Sequence, residues 1–407
     1  MWGWFFLFAG AVFFLLYWSG TRKIGRLLFI AYLVRIVAAI THKYIFILPA
    51  GCCDAVKFEE VAWEWSAAGL STLYFDPSSS YVISWIGSML YGIFGRDPLL
   101  LQMVNVFIGT MTVLIVYKTA RLLCKEKTSL IIAWLFALHP TVIEHSVVFL
   151  REAPVVLGLA LSIYFFTKWF LFYRPIYIIL CLASIIFSSL FHGAMILSLL
   201  VILFAVAAIA YKSLLKLVFK PYLKKGIFSI VIMLFVGTSI VASMGLPTLS
   251  TVGNLEILLD AYQAAESAGS AAEARSEGGA VYLQNLTASN PVDILWQAPI
   301  RSLYFVYAPF PWNIRSITHL KGFIDSGFLI YFTFLMWTYR RELWANKIYR
   351  YLLLILLLYI AAFSFGTANF GSAIRHKAKF LPIIVLFYGL KDSGVKYVLA
   401  MPYQSES

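Results

Sequence analysis

Charge is what this sequence has least of. Only 13% of its 407 residues are Asp, Glu, Lys or Arg and 61% are hydrophobic, against roughly 25% charged residues in soluble domains; the mean hydropathy is +0.84. Such a chain cannot clothe a surface in water, which excludes an ordinary soluble enzyme. Cysteine is scarce too, with four residues. Cys52 and Cys53 are adjacent, so a bridge between them would be strained, while Cys124 and Cys181 fall on the inner face or within apolar runs. No disulfide framework follows. The six histidines show no zinc-ligand spacing, and there is no glycine-rich phosphate loop or dinucleotide fingerprint, which disfavours an ATP-driven motor. The missing internal repeat weighs against a transporter built from inverted halves. Met1 to Trp18 lacks a basic region before its apolar core and a small-residue cleavage site after it, so it is expected to be a first membrane helix.

What is present in quantity is apolar sequence in runs near the roughly 20 residues that cross a hydrocarbon core as a helix. The fold class is therefore an all-α polytopic integral membrane protein, a single membrane domain over residues 1–407 with about eleven transmembrane helices. The expected spans are Trp2 to Trp18, Leu27 to Ile47, Pro98 to Ala120, Ser129 to Ser146, Glu152 to Leu171, Ile176 to Leu190, Ala194 to Tyr211, Ile227 to Gly245, Leu320 to Tyr339, Tyr351 to Phe365 and Phe380 to Val395. The net charge of +13 needs no nucleic acid. Basic clusters around Arg22, Lys118, Lys212 and Arg340 alternate with acid-bearing segments, as the positive-inside rule requires if the N-terminus is outside and the C-terminus inside.

Two outer loops are then long. The first, residues 50–97, holds Tyr81 to Phe94, which is too short to span and suits an interfacial juxtamembrane helix. The second, residues 246–319, includes the Ala264 to Ala280 tract, whose composition favours a flexible loop. Beyond it, Arg301 to Trp312 is aromatic, and Pro309 and Pro311 end a helix there.

Ionisable residues converge on the predicted outer face, and charges at membrane depth mark a site or a pairing partner. Asp54, Lys57, Glu59 and Glu60 follow the second span, Arg151 and Glu152 form an outer turn, and His192 lies between two spans. Arg301 and Arg315 flank the aromatic element, and Arg375, His376, Lys377 and Lys379 precede the last span. Basic residues outside run against the positive-inside rule, so an anion is expected to hold them, most simply a lipid phosphate. Lys57 and Glu60 could instead form a weak surface pair, Arg151 and Glu152 could serve helix ends, and His192 could be a satisfied core residue.

The stretch Asp54-Ala55-Val56-Lys57-Phe58-Glu59-Glu60-Val61-Ala62 resembles the first-loop motif of the GT-C glycosyltransferases related to protein O-mannosyltransferases and aminoarabinose transferases. Tyr91-Gly92-Ile93-Phe94-Gly95, Ala137-Leu138-His139-Pro140, Arg151-Glu152 and Arg375 to Pro382 continue the likeness, the last resembling relatives from bacterial surface-polysaccharide clusters. The resemblance implies an inverting transferase that takes a sugar from a polyprenyl-phosphate or polyprenyl-pyrophosphate donor, with Asp54 as the catalytic acid-base residue. Lys57, Arg151, Arg301 and the cluster Arg375, His376, Lys377 and Lys379 would handle phosphate, and Glu60, Glu152 and His192 would orient sugar or basic partners. The implied partners are the lipid-linked donor, a glycan or lipid acceptor and membrane lipids, with the site on the periplasmic side of a bacterial inner membrane. Ala55 stands where the family has a second carboxylate; Glu59 or Glu60 could replace it. No cofactor is specified, and a divalent cation stays open without an assigned ligand set. A polymerase or ligase of pyrophosphate-linked repeats and a lipid-linked oligosaccharide transporter are the alternatives.

Overall fold

The computed structural model describes residues 1–219 apart from 70, 72 and 78, residue 283, residues 291–314, and residues 317–392 apart from 368. The expected span Ile227 to Gly245, the Ala264 to Ala280 tract and Arg315 lie outside the described residues. Among those described, the regular structure is helical. In chain order come α1 (Trp2–Gly20), α2 (Arg22–Tyr44), α3 (Asp54–Ala67), α4 (Val82–Phe94), α5 (Pro98–Leu123), α6 (Glu126–Ala137), α7 (Pro140–Val147), α8 (Glu152–Phe172), α9 (Pro175–Phe191) and α10 (Leu197–Phe219). They are followed by α11 (Pro291–Tyr307), α12 (Ile317–Thr338), α13 (Arg340–Ala345), α14 (Lys347–Phe365) and α15 (Phe370–Leu386).

Six of the described helices are long and apolar enough to cross a membrane, and a seventh crossing results if the bent pair α6 and α7 is one span. α9 and the start of α10 are apolar but shorter. Outward-facing aromatics such as Phe5, Phe8, Phe13, Phe334 and Trp337 fit a surface solvated by lipid rather than water. The segment expected as a juxtamembrane helix is helical, as α4.

The break between α6 and α7 falls at His139-Pro140, where the chain turns by 58°. Proline cannot donate to the preceding turn and disfavours helical backbone in the residue before it. The end of α6 is served by Arg35 of α2, which is completely buried; it donates from Nη1 to the Ala137 carbonyl (3.1 Å) and from Nε to Ser146 Oγ (3.0 Å). A cation at a helix C-terminus answers both the orphan carbonyl and the dipole. Backbones approach closely nearby: a Cβ on Gly109 would lie 2.5 Å from the Ser146 Cβ, and one on Gly158 of α8 would lie 2.7 Å from the Ser188 Cβ of α9. Small residues at such crossings provide packing where lipid gives helices no hydrophobic incentive to associate.

Two expectations are corrected. α15 begins at Phe370 rather than Phe380, with the Asn369 side chain accepting from the Gly371 amide at 2.7 Å. The basic cluster of residues 375–379 therefore lies inside this helix instead of preceding it. Glu59 is also no substitute for a second site carboxylate. It accepts two bonds from Arg96 (3.0 and 2.9 Å) and one from the Tyr91 hydroxyl (2.7 Å), which clamps α3 onto α4. The expected proline stop is present: α11 ends at Tyr307, and Ala308-Pro309 and the short turn Pro311–Asn313 follow.

Candidate active site

Three helices bring the charged residues together. Asp54 is the first residue of α3 and Glu152 the first of α8, positions where the helix dipole favours an acid. The non-helical link before Glu152 is fixed by Asn105 of α5, fully buried, whose side-chain amide donates to the carbonyls of Val148 (2.7 Å) and Leu150 (2.9 Å). Arg375 of α15 then joins the two acids. Its Nε donates to Glu152 Oε1 at 2.5 Å, and its Nη1 donates to Asp54 Oδ2.

The two carboxylates sit in different surroundings. The Asp54 side chain is 54% exposed, whereas that of Glu152 is at 0%. Lys379, also buried, lies 3.7 Å from Glu152 Oε1 and 2.9 Å from His376 Nδ1. His376 stacks on Phe363 of α14 with ring centroids 4.6 Å apart, and His192 meets the His376 ring edge-on at 5.6 Å. Burial, then the cations Lys379 and Arg151, hold His192 well below its ordinary pKa, so its ring is neutral. Arg151 lies across the Phe58 ring at 5.8 Å. Formally, Arg151, Arg375 and Lys379 outweigh Asp54 and Glu152 by one positive charge. A small cavity lined by His145, Ser146, Glu152, Ala153 and Ala378 lies behind them.

The structure thus unites Asp54, Arg151, Glu152, His192, Arg375, His376 and Lys379. The other four candidates lie elsewhere. Lys57 is exposed and its ammonium sits 5.8 Å from the Tyr81 ring; hydrogen bonding to Tyr81 raises its pKa. Glu60 is exposed and, six residues on from Asp54, is turned by about 120° from it around α3. Arg301 is buried, donates to Gln297 Oε1 at 3.1 Å and lies over Phe365. Lys377 points away from Glu152 and donates to the carbonyls of Ala308 (3.1 Å) and Val306 (3.4 Å), where it receives the end of α11.

Sequence reasoning missed a second set of buried charges. Glu144 of α7 pairs with Lys321 of α12 and accepts from the Ala50 amide at 2.7 Å. Asp325 of α12 accepts from the Thr141 hydroxyl at 2.5 Å and lies 3.6 Å from His139. Glu144 and Asp325 are acids inside apolar runs, so the cost of charge at membrane depth was the signal available for them. They tie the broken helix to α12. Among the described residues no group of three or more His, Cys, Asp or Glu side chains could hold a metal ion, and the two carboxylates of the site are joined by a guanidinium.

With the helix order and the cluster of acids and cations described, comparisons with known proteins give a family and a fold to set beside them. The model of the dolichyl-phosphate-mannose-protein mannosyltransferase family matches residues 78–237. The fold is similar to that of the archaeal oligosaccharyltransferase AglB from Archaeoglobus fulgidus, solved with an inhibitory peptide and a dolichol-phosphate. That match has a TM-score of 0.53 and 13% identity and covers 92% of this chain and 50% of that one. The apo form of an Archaeoglobus fulgidus oligosaccharyltransferase matches at a TM-score of 0.47 and 14% identity, over 88% of this chain and 50% of that one. The chain thus spans about half the length of these structures. No curated protein matches the chain significantly. The family model thus covers residues 78–237, and the AglB match shows a shared helical fold.

Proposed function

We propose that the protein is an inverting glycosyltransferase that moves a sugar from a polyprenyl-(pyro)phosphate donor to an acceptor hydroxyl at the outer face of the membrane, in the assembly of a cell-surface polysaccharide or glycolipid. The observation that carries this reading is the bridge from Asp54 through Arg375 to Glu152: a half-exposed carboxylate beside cations held by a buried one. Asp54 takes the proton of the acceptor hydroxyl. The hydroxyl oxygen attacks the anomeric carbon opposite the phosphate, the bond from that carbon to the phosphate oxygen breaks, and the negative charge stays on the lipid phosphate. Arg375, Arg151 and Lys379 face that charge, and fixed cations in a partly dry site stabilise it as it develops.

Arg375 has a double task in this scheme. Without donor it neutralises Asp54; with donor it turns to the phosphate and leaves the carboxylate free to accept a proton. Glu152 keeps Arg375 and Lys379 in place, and His192 and His376 present neutral ring nitrogens to sugar hydroxyls. The alternation of basic clusters along the chain supports the outer position of the site. Asp54→Asn keeps size and removes the base, so membranes bearing that variant at normal abundance should form less than about 1% of the glycan product. Normal synthesis by Asp54→Asn sinks the assignment.

A further inference from the structure

Cys52 and Cys53 lie between the turn Pro49–Gly51 and α3, and both are exposed. The Cys53 thiol donates to the Cys52 sulfur at 2.7 Å. Cys53 has φ 57° and ψ −105°, backbone that residues with a Cβ rarely adopt. The Cys53 carbonyl accepts from the Lys57 amide (3.0 Å), and the Cys52 carbonyl from the Ala55 amide (3.2 Å). The first turn of α3 therefore hangs from these two peptide units, and Asp54, the next residue, reaches Arg375 from that turn. Cys124 and Cys181 are buried on other helices and take no part.

We propose that Cys52 and Cys53 are a vicinal dithiol that oxidises reversibly to an intrachain disulfide, and that closing this ring resets the Cys53 backbone and draws Asp54 away from Arg375. The oxidant is a small disulfide. One cysteine thiolate attacks it, forming a mixed disulfide and releasing one thiol. The neighbouring thiolate then attacks the protein sulfur of the mixed disulfide and releases the second thiol. Two electrons pass from the pair to the oxidant, and the two protons leave with its thiols. Neighbouring Cα atoms across a trans peptide are about 3.8 Å apart, short of the roughly 4.4–6.8 Å of relaxed disulfides. The bond is consequently strained and is reduced by mild thiols. Strain that disqualifies the pair as a staple suits it to reversal. The proposal rests on the thiols and the helix start alone and stands apart from the transfer reaction.

The test uses the full chain in detergent, equilibrated with mixtures of reduced and oxidised glutathione. Mass spectrometry of the peptide bearing both cysteines and hydrogen exchange at the amides of residues 54–57 are the readouts, with Cys52→Ser as control. Oxidation should make the peptide lighter by two hydrogens with no glutathione attached, reduced glutathione should reverse this, and exchange should rise severalfold in the oxidised chain but not in Cys52→Ser. Glutathione retained on either cysteine without ring closure overturns the proposal. Ring closure that leaves exchange at residues 54–57 unchanged overturns it equally.

Discussion

Asp54 and Glu152 both begin helices and both hold Arg375, yet neutralising them should have opposite consequences. Asp54 is half exposed, and a screened pair of that kind contributes under about 1 kcal/mol, so Asp54→Asn should fold as the wild type does. Glu152 is fully buried between Arg375 and Lys379. Glu152→Gln leaves two cations enclosed without their acid, a change that costs about 3 kcal/mol. Its melting temperature in detergent should fall clearly below that of Asp54→Asn, and equal melting temperatures would contradict the division of roles. Asp54 was legible from the sequence because it follows an apolar run and opens a charged helix. The exclusion of Lys377 from the site was not, because residues 375–379 are continuous in sequence while a helix turns successive side chains by about 100°.

At the scale of elements, the junction of α4 and α5 has a testable electrostatic lock. Asp97 caps α5 through the Leu99 amide (3.1 Å), accepts from the Gly3 amide of α1 (2.8 Å) and lies 3.5 Å from Lys43 of α2. Burial pushes its pKa up, but the Gly3 amide and Lys43 prevail and hold it below the ordinary carboxylate value. A depressed folded pKa stabilises above the unfolded value of about 3.9 and ceases to do so as pH falls through the folded one. Asp97→Asn keeps the cap and removes the charge. Thermal melts should place it about 1 kcal/mol below wild type at pH 7, with the gap closing as pH falls below the unfolded value and through the lower folded one. Helix existence was largely legible from apolar runs, but two boundaries were not. The break at His139-Pro140 was hidden by the apolar run around it. The start of α15 was set ten residues late because its charges were assigned to water, whereas Glu152, a residue from the middle of the chain, makes them tolerable inside.

For the molecule as a whole, the two cysteines beside Asp54 report which way the chain sits. They are exposed, while Cys124 and Cys181 are buried. A membrane-impermeant maleimide added outside intact cells or right-side-out vesicles, after mild reduction and washing, should label residues 52 and 53 within minutes. Labelling only after the membrane is opened would reverse the proposed orientation. An orientation could be proposed from the sequence because charge asymmetry between loops is a property of sequence. The convergence of Asp54, Glu152 and Arg375 could be anticipated from their shared predicted face, but not their atom-to-atom pairing, because the parts come from α3, α8 and α15 and nothing local encodes those contacts.

Arg375 lies 321 residues beyond Asp54 and 223 beyond Glu152, and that separation bears on how the protein is made. As the chain leaves the ribosome in order, α8 is produced long before the only described arginine that answers Glu152 by a direct ion pair. A carboxylate without its cation is poorly tolerated at membrane depth, so the early helices have reason to stay loosely associated, with Glu152 near water, until α15 arrives. Arrival of α15 then draws Glu152 inward and fixes Asp54 in the same event. Completion of the chain and maturation of the site become one step, and a product truncated before α15 is an unfinished assembly, exposed to the quality control that removes such chains.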